Sequence, residues 1–391
     1  MKYVGIVISD IHFGAPDNIG LKKELTDIFL YHITNLKKLD FLIIDGDYFD
    51  HKIYLNDESS NYAISFMDKL VNICKSFKCP IRCVYGTESH EVNQYSIFSI
   101  YESDSDIDFK VIYKVEEEEL LKDLNVLYLP EEQILDKDEY YKDYFSSNKK
   151  YDYVFGHGVI QEIMTDVVRH SKITKEKKYK KVPYFSSKEL SNICKGQVFF
   201  GHYHIKSSFL NKVFYVGSFS RWKHGEEIEK GFYELSCDTD KFKYKYTFIE
   251  NTLAPKYVQF TYGYNDKVMN SDSDLIEELE KRDKLIEAKG IDYVMYIFNI
   301  PENHKNPESI IEILNDRYKF NKTTKIKIVN GYIEKKKDIN KERLSESVEK
   351  YPVIFNKDAK MEEKIVFFIK VNNEKDINID TVKKHLYEEY K

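Results

Sequence analysis

The chain has 391 residues, 42% of them hydrophobic, and a formal net charge of -6. That length allows two or three domains, and the apolar content excludes an intrinsically disordered chain. The mildly acidic balance gives no general attraction to nucleic acid, so any DNA binding depends on local basic patches or on metal ions. The five cysteines include no C-x-x-C pair, which argues against a disulfide framework or a zinc knuckle and favours a reducing compartment.

The first 250 residues contain short apolar runs separated by helix-length amphipathic stretches. The runs YVGIVIS, FLIID and IRCVY alternate with residues 20–38 and 58–77, a pattern typical of βαβ units and a mainly parallel sheet. The later runs NVLYL, YDYVFG, QVFFG and VFYVG lack long helices between some of them, so the sheet is predicted to be mixed or doubled into a sandwich. The N-terminal run stops at Asp10 and no apolar stretch is long enough to span a bilayer, so we expect a soluble, cytoplasmic protein without membrane association.

The second half of the chain divides into two further parts. A polar turn, a strand and a proline between Asp238 and Pro255 indicate a boundary after a first domain of residues 1–250. Residues 256–333 then alternate three predicted strands with two predicted helices, which indicates a small α+β domain. The charged segment 334–391 has two helix-like stretches around an apolar run, and it is either surface helix or a docking element for a partner.

Aspartate and histidine residues follow several of the predicted strands where each strand stops. Asp10 and His12 are two residues apart, so on an extended chain they point to the same side. Most of the other strand ends carry a glycine beside the polar residues, which are Asp45, Asp47, Asp50, His90, His157, His202 and His204. Because ligands of open α/β sheets bind beyond the carboxyl ends of the strands, we expect these side chains to share one site.

The types of residue in this set indicate a metal centre. Two aspartates and four histidines without cysteine form a mixed hard and borderline donor set that suits Mn²⁺, Fe²⁺ or Zn²⁺ rather than a structural zinc site. These six residues are Asp10, His12, Asp47, His157, His202 and His204. Six ligands are too many for one catalytic ion with an open position. They fit two ions about 3.5–4 Å apart with a bridging carboxylate, an arrangement suited to phosphoryl displacement.

The motifs also have a characteristic order. They are D-x-H (Asp10, His12), G-D-x-x-D (Gly46, Asp47, Asp50), G…H-E (Gly86, His90, Glu91), G-H (Gly156, His157) and G-H-x-H (Gly201, His202, His204). This ordered set resembles the calcineurin-like metallophosphoesterase family over roughly residues 1–230. Within that family, FFGHYH followed by VFYVGSFSR and KGFYEL is similar to the SbcD-type DNA repair nucleases, and the compact length is similar to phage-encoded members.

The resemblance implies a fold and a role for each site residue. It implies an α/β fold with a phosphoesterase β-sandwich flanked by helices, with residues 256–333 as a cap over DNA. It implies two Mn²⁺ ions, one held by Asp10, His12 and His204 and the other by His157 and His202, with Asp47 bridging. His90 is then the catalytic histidine, which positions or protonates the scissile phosphate and the leaving oxygen.

One motif departs from the family pattern. The family usually has Gly-Asn-His at the third motif, where the asparagine binds the second ion, whereas this chain has Gly86-Thr87-Glu88-Ser89-His90. The group that replaces the asparagine, among Thr87, Glu88 and Ser89, stays open at this point. His51 also stays open, either as a catalytic assistant or as a surface residue.

A run of lysines lies between the fourth and fifth motifs, at Lys172, Lys175, Lys177, Lys178, Lys180 and Lys181. Such a run is either a solvated face or a loop that tracks phosphates beside the metals, with Tyr179 and Tyr184 available for stacking. In the second case its contribution to binding weakens with salt.

The residue pattern predicts hydrolysis of phosphodiesters by a two-metal mechanism, and the resemblance implies that the protein is a manganese-dependent DNA nuclease. The resemblance adds an SbcC-type coiled-coil ATPase that docks on residues 334–391, a homodimer, and a role in DNA repair, recombination or replication, in the host cytoplasm if the protein is phage-encoded. One alternative is a phosphoesterase acting on a small nucleotide or a phosphoprotein, since the same site serves those substrates. The other is a weakly catalytic scaffold for the ATPase, which the altered third motif would explain.

Overall fold

A computed structural model describes residues 1–15, 18–146, 148–163, 182–263, 266–269, 271–300, 307–318 and 323–329. The lysine run from 172 to 181 and the segment 334–391 lie outside these residues. The chain divides into two compact units. The first contains residues 1–258 and 290–293, and the second contains the other described residues between 259 and 329.

The first unit is built mainly from strands. They are β1 (Lys2–Ile8), β2 (Phe41–Asp45), β3 (Ile81–Val84), β4 (Phe109–Ile112), β5 (Glu116–Leu121), β6 (Leu124–Leu129), β7 (Tyr151–His157), β8 (Val159–Ile160), β9 (Tyr184–Phe185), β10 (Cys194–Gly201), β11 (Ser207–Phe209), β12 (Val213–Tyr215), β13 (Gly231–Asp238) and β14 (Lys243–Glu250). Its α-helices are α1 (Asn18–Glu24), α2 (Tyr31–Thr34), α3 (Glu58–Phe77), α4 (Glu88–Glu91), α5 (Ser99–Glu102), α6 (Lys137–Tyr141) and α7 (Ser187–Ile193).

Two six-stranded sheets organise this unit, in the orders β14-β13-β1-β2-β3-β4 and β11-β12-β10-β7-β6-β5. In the first sheet β1 to β4 are mutually parallel, and β13 pairs antiparallel with both β1 and β14. In the second sheet β6, β7, β10 and β12 are parallel, with antiparallel strands at both edges. The predicted α/β class is therefore confirmed, with two mixed sheets.

The core lies on both faces of the sheets. Val7 and Ile43 of the first sheet share one apolar cluster with Phe155 and Phe199 of the second, and all four are fully buried. Helix α3 covers the other face of the first sheet, and α6 and α7 cover that of the second. Strands buried on both faces need apolar side chains at nearly every position, which explains the continuous run FLII in β2.

Helix α3 shows how the sequence specifies this layering. Its buried positions include Ala63, Met67, Leu70 and Cys74, spaced three or four residues apart, so one stripe of the helix faces the sheet. The helix ends at Phe77, because Lys78 after it has a left-handed backbone conformation that stops the chain from continuing the helix.

The second unit is a small α+β structure. Strand β15 (Tyr257–Tyr262) begins at its boundary and is followed by α8 (Asp272–Lys289), β16 (Tyr293–Asn299), α9 (Pro307–Tyr318) and β17 (Thr324–Val329), with the sheet order β15-β16-β17. This is the order of elements expected from the sequence pattern. Gly290 follows α8 with a φ of +57°, which glycine adopts without steric cost.

Two further features bear on the expected environment of the protein. All five cysteines are buried and unpaired, which agrees with the absence of a disulfide framework. Among the helices in the described ranges, none has both the length and the apolar character needed to cross a bilayer.

Candidate metal centre

The predicted site residues meet where the carboxyl ends of the central strands of the two sheets adjoin. Asp10 and His12 follow β1, Asp47 follows β2, His157 ends β7, and His202 and His204 follow β10. Three groups of aspartate and histidine donors occur there, namely Asp10–His12–His204, Asp47–His157–His202 and His12–Asp50–His90. Within each group the donor atoms lie within 4.8 Å of one another.

Glycine makes this convergence possible. A β-carbon on Gly46 would overlap the imidazole of His157, and one on Gly201 would overlap Ser9 and the carbonyl of Asp45. The φ of Gly46 is also +83°, a conformation that other residues rarely adopt. The glycines beside the site residues therefore let the two sheets approach closely enough for their strand ends to meet.

The backbone at the site is strained. Asp10, His12, Asp47 and His202 have φ values of 50°, 56°, 47° and 100°, in the left-handed region. Such conformations cost on the order of 1 kcal/mol each for residues other than glycine, and they persist where surrounding contacts enforce them. The amide N–H groups of Asp10 and His12 donate to the carbonyls of Gly46 and Asp47, which holds the two loops together.

The first donor group consists of Asp10, His12 and His204. The Nε2 atoms of the two histidines lie 2.9 Å apart, and Asp10 Oδ1 is 3.9 Å from each. On the far side of each ring a carboxylate faces Nδ1: Glu226 Oε1 at 2.7 Å from His204, and Asp50 Oδ1 at 3.2 Å from His12. In the neutral tautomers that carry their proton on Nδ1, the two Nε2 lone pairs would face each other, an arrangement that a cation between them stabilises.

The second donor group consists of Asp47, His157 and His202. His157 Nδ1 donates to the carbonyl of Asp45 at 2.9 Å, which leaves Nε2 free to bind a metal at 3.2 Å from Asp47 Oδ2. The hydroxyl of Thr87 lies among the three, 3.3 Å from Asp47 Oδ2, 3.5 Å from His157 Nε2 and 3.2 Å from His202 Nδ1. One hydroxyl hydrogen satisfies only one acceptor, so this group also has unmet capacity for a cation.

Asp47 connects the two groups, because its Oδ2 atom lies 3.2 Å from His157 Nε2 and 3.9 Å from His12 Nε2. Metal–ligand bonds of about 2.0–2.2 Å place two donors of one ion roughly 3–4 Å apart. The measured separations fall in or near that range. The residues therefore fit metal binding in both their chemistry and their spacing.

The electrostatics of the site also favour cations. Burial alone would raise the pKa of Asp10, but its contact with His12 and the charges of His157 and His204 lower it to about 2. Burial would lower the pKa of His12, but Asp10 and Asp50 raise it to about 10. Burial likewise opposes protonation of His157, yet Asp47 raises its pKa well above the usual value. Without metal, the buried carboxylates therefore hold protons on the imidazoles.

Binding of Mn²⁺ is accordingly expected to release protons at neutral pH. His12 has a pKa of about 10 in the metal-free protein, and an incoming ion must displace its proton. Because fewer protons have to be displaced at higher pH, the affinity for Mn²⁺ should rise as the pH increases from roughly 6 to 9. Calorimetric titrations in buffers of different ionisation enthalpy measure the released protons, and an affinity independent of pH would contradict this prediction.

His90 lies beside the first donor group. Its ring centroid is 5.0 Å from that of His12, and its buried Nδ1 has no hydrogen-bond partner within the described ranges. Burial is the main cause of a lowered pKa for this histidine. His51 differs, since its side chain is 56% exposed and its Nδ1 faces Asp50 Oδ2 at 3.0 Å.

The structure distinguishes the candidates in the altered third motif. Thr87 directs its hydroxyl into the second donor group, as described above. Glu88 instead accepts a hydrogen bond from Tyr85 Oη at 3.0 Å, and Ser89 is exposed. Only Thr87 of the three therefore contacts the donors.

Two glutamates at the site were missed from the sequence. Glu226 accepts from His204 Nδ1 and from the backbone N–H of Trp222, and nothing in its sequence surroundings marks it. Glu131 lies 3.2 Å from His202 Nδ1. It follows β6, the parallel neighbour of β7, so the strand-end rule applied to NVLYLPEE could have found it.

Comparisons with known proteins add little to this geometry. No protein-family model and no curated protein matches the chain. A solved crystal structure is similar at 15% identity and a TM-score of 0.34, covering 64% of this chain and 100% of its own.

Proposed function

We propose that this protein is a manganese-dependent DNA nuclease of the calcineurin-like, SbcD-type metallophosphoesterase class. The observation that carries the proposal is the pair of largely buried Asp/His donor groups joined by the carboxylate of Asp47. Two adjacent divalent ions are a recurrent device for phosphodiester hydrolysis. The two-sheet arrangement with helices on both outer faces also agrees with the sandwich that the sequence motifs imply.

The donor groups define where the ions would bind. Asp10, His12 and His204 would hold one ion, His157 and His202 the other, and Asp47 would contact both. When bound, such ions activate water as a nucleophile and stabilise the charge that develops on a phosphate. Histidine and carboxylate donors together suit Mn²⁺, among other first-row metals.

The surrounding residues prepare these ligands. Glu226 fixes His204 with Nε2 towards the site, and the Asp45 carbonyl does the same for His157. His90 is placed to contact the phosphate or the leaving oxygen from beside His12. A departing alkoxide needs a proton or a cation nearby. Because burial lowers the pKa of His90 and favours its neutral form, the ring would act through a hydrogen bond from its N–H to the phosphate or to the leaving oxygen.

A small-molecule phosphoesterase is the second candidate. A cavity of about 580 Å³ lies beside the second donor group, lined by Tyr85, Tyr113, Glu88, Glu131 and Glu132 among others. This volume is sufficient for a nucleotide. The three carboxylates in this lining, however, repel a phosphate-bearing ligand, so the cavity gives a nucleotide substrate little support.

Cleavage assays with the full-length protein test the proposal. Radiolabelled linear and hairpin DNA are incubated with Mn²⁺, Mg²⁺ or EDTA, in parallel with a small chromogenic phosphodiester. We expect DNA cleavage with Mn²⁺ and none with EDTA. Hydrolysis of the small diester without DNA cleavage would favour the second candidate, and inactivity on both with no bound Mn²⁺ would favour a scaffold.

We also propose that residues 334–391 dock on a coiled-coil ATPase of the SbcC type, that the protein forms a homodimer, and that it acts in the cytoplasm. The resemblance in the sequence motifs supports the first two, and the buried free cysteines agree with a reducing compartment. Pull-down of the ATPase with and without residues 334–391 tests the docking. Capture that does not depend on the segment would contradict it.

A further inference from the structure

Glu131 lies beside the second donor group but has no role in the proposed two-metal centre. Its Oε2 atom lies 3.2 Å from His202 Nδ1 and 3.3 Å from Thr87 Oγ1. The side chain is only 8% exposed. Its backbone N–H donates to the carbonyl of Tyr85 at 3.2 Å, which ties the end of β6 to the end of β3. The carboxylate is therefore held against the second donor group by the framework of both sheets.

Without Glu131, the second donor group offers fewer donor atoms than a divalent ion needs. Asp47, His157 and His202 supply three donor atoms, whereas Zn²⁺ takes four ligands and Mn²⁺ prefers an octahedral set. The Thr87 hydroxyl is a weak, neutral donor. Glu88, which follows Thr87 in the third motif, uses its carboxylate to accept a hydrogen bond from Tyr85 Oη.

We propose that Glu131 is a ligand of the second ion, an inference that rests on the proposed two-metal centre. Its carboxylate replaces the missing amide donor in the third motif. A carboxylate brings a negative charge that an amide lacks, so the two donor groups together carry three carboxylates, from Asp10, Asp47 and Glu131. Additional oxygen donors favour Mn²⁺ or Mg²⁺ over Zn²⁺ at this position.

A purely structural role makes a different prediction. In that role Glu131 would accept a hydrogen bond from His202 Nδ1–H and orient the imidazole without touching the ion. In that case a new oxygen donor elsewhere in the group would not compensate for loss of Glu131. If Glu131 is a ligand, a new oxygen donor does compensate for its loss. Position 87 suits that donor, because the Thr87 side chain lies close to Asp47, His157 and His202.

The test is Mn²⁺ binding by the full-length protein, measured by calorimetry and by the electron paramagnetic resonance of the spin-coupled Mn²⁺ pair. Glu131→Ala is expected to weaken binding of the second ion by at least about 10- to 100-fold and to abolish the spin-coupled signal. Losses of that size follow even when a residue that only contacts a metal ligand is replaced. Glu131→Gln, which keeps one oxygen donor, should lose less. Glu88→Ala is the matched control and should bind both ions as the wild type does.

The rescue variant is Glu131→Ala combined with Thr87→Asn, and it is expected to recover the second ion and the coupled signal. A double variant that binds no better than Glu131→Ala would assign Glu131 the orienting role and overturn its role as a ligand. Two ions bound by Glu131→Ala with wild-type affinity would also overturn it while leaving the proposed nuclease intact. A wild type that binds fewer than two ions would overturn both.

Discussion

Replacement of His90 by alanine is expected to slow DNA cleavage by about 10²- to 10⁴-fold, the usual contribution of a general acid or base. Both Mn²⁺ ions should remain bound, because neither of the donor groups joined by Asp47 includes His90. The imidazole is half-buried beside His12, and its Nδ1 has no partner to hold it in a structural role within the described ranges. Single-turnover cleavage at saturating Mn²⁺, with binding measured on the same samples, checks both parts.

His51→Ala provides the matched control. This histidine also lies close to Asp50, but it is mostly exposed, so we expect its removal to change the rate less than tenfold. Equal losses in the two variants would contradict a specific role for His90. Loss of one Mn²⁺ in His90→Ala would instead make this residue a metal ligand through the His12–Asp50–His90 group.

The fold and most of the site could be predicted from the sequence because both depend on where strands end. An apolar run that stops at a polar residue marks a strand end, and parallel strands bring such ends to one edge of a sheet. Asp10, Asp47, His157 and His202 each follow or end a strand in this way. The same rule would have included Glu131 had it been applied to β6.

The remaining contacts depend on side-chain directions that no periodicity specifies. The turn of helix α4 accommodates the longer third motif, directing Glu88 towards Tyr85 and leaving Thr87 at the donors. Glu226 reaches His204 from a loop 22 residues further along the chain. That loop is held by the buried Lys230, which donates to the carbonyl of His204 and to Glu226. Contacts of this kind follow from tertiary packing and are not visible in a local pattern.

Asp47→Asn should have the largest effect of any substitution at the site. The variant keeps the shape of the side chain but removes the charge that faces both His12 and His157. Metal ions contribute several kcal/mol to transition-state stabilisation, so weakening both sites should lower cleavage by about 10³- to 10⁴-fold. Stability provides a second readout, because each Mn²⁺ site at 100 times its Kd should stabilise the wild type by about 2.7 kcal/mol and the variant far less.

Asp50→Asn is the appropriate comparison, since Asp50 contacts His12 through Nδ1, on the opposite side of the ring from the site. Removing a group that only orients a ligand typically costs about 10- to 100-fold in affinity or activity. Cleavage activity is therefore expected to be much lower in Asp47→Asn than in Asp50→Asn. Asp47 would contact both ions, whereas Asp50 contacts one proposed ligand, His12, on the side away from the site. If Asp47→Asn bound two Mn²⁺ ions and gained the same thermal stability from them as the wild type, Asp47 would not bridge, and the two donor groups would have to act as independent sites.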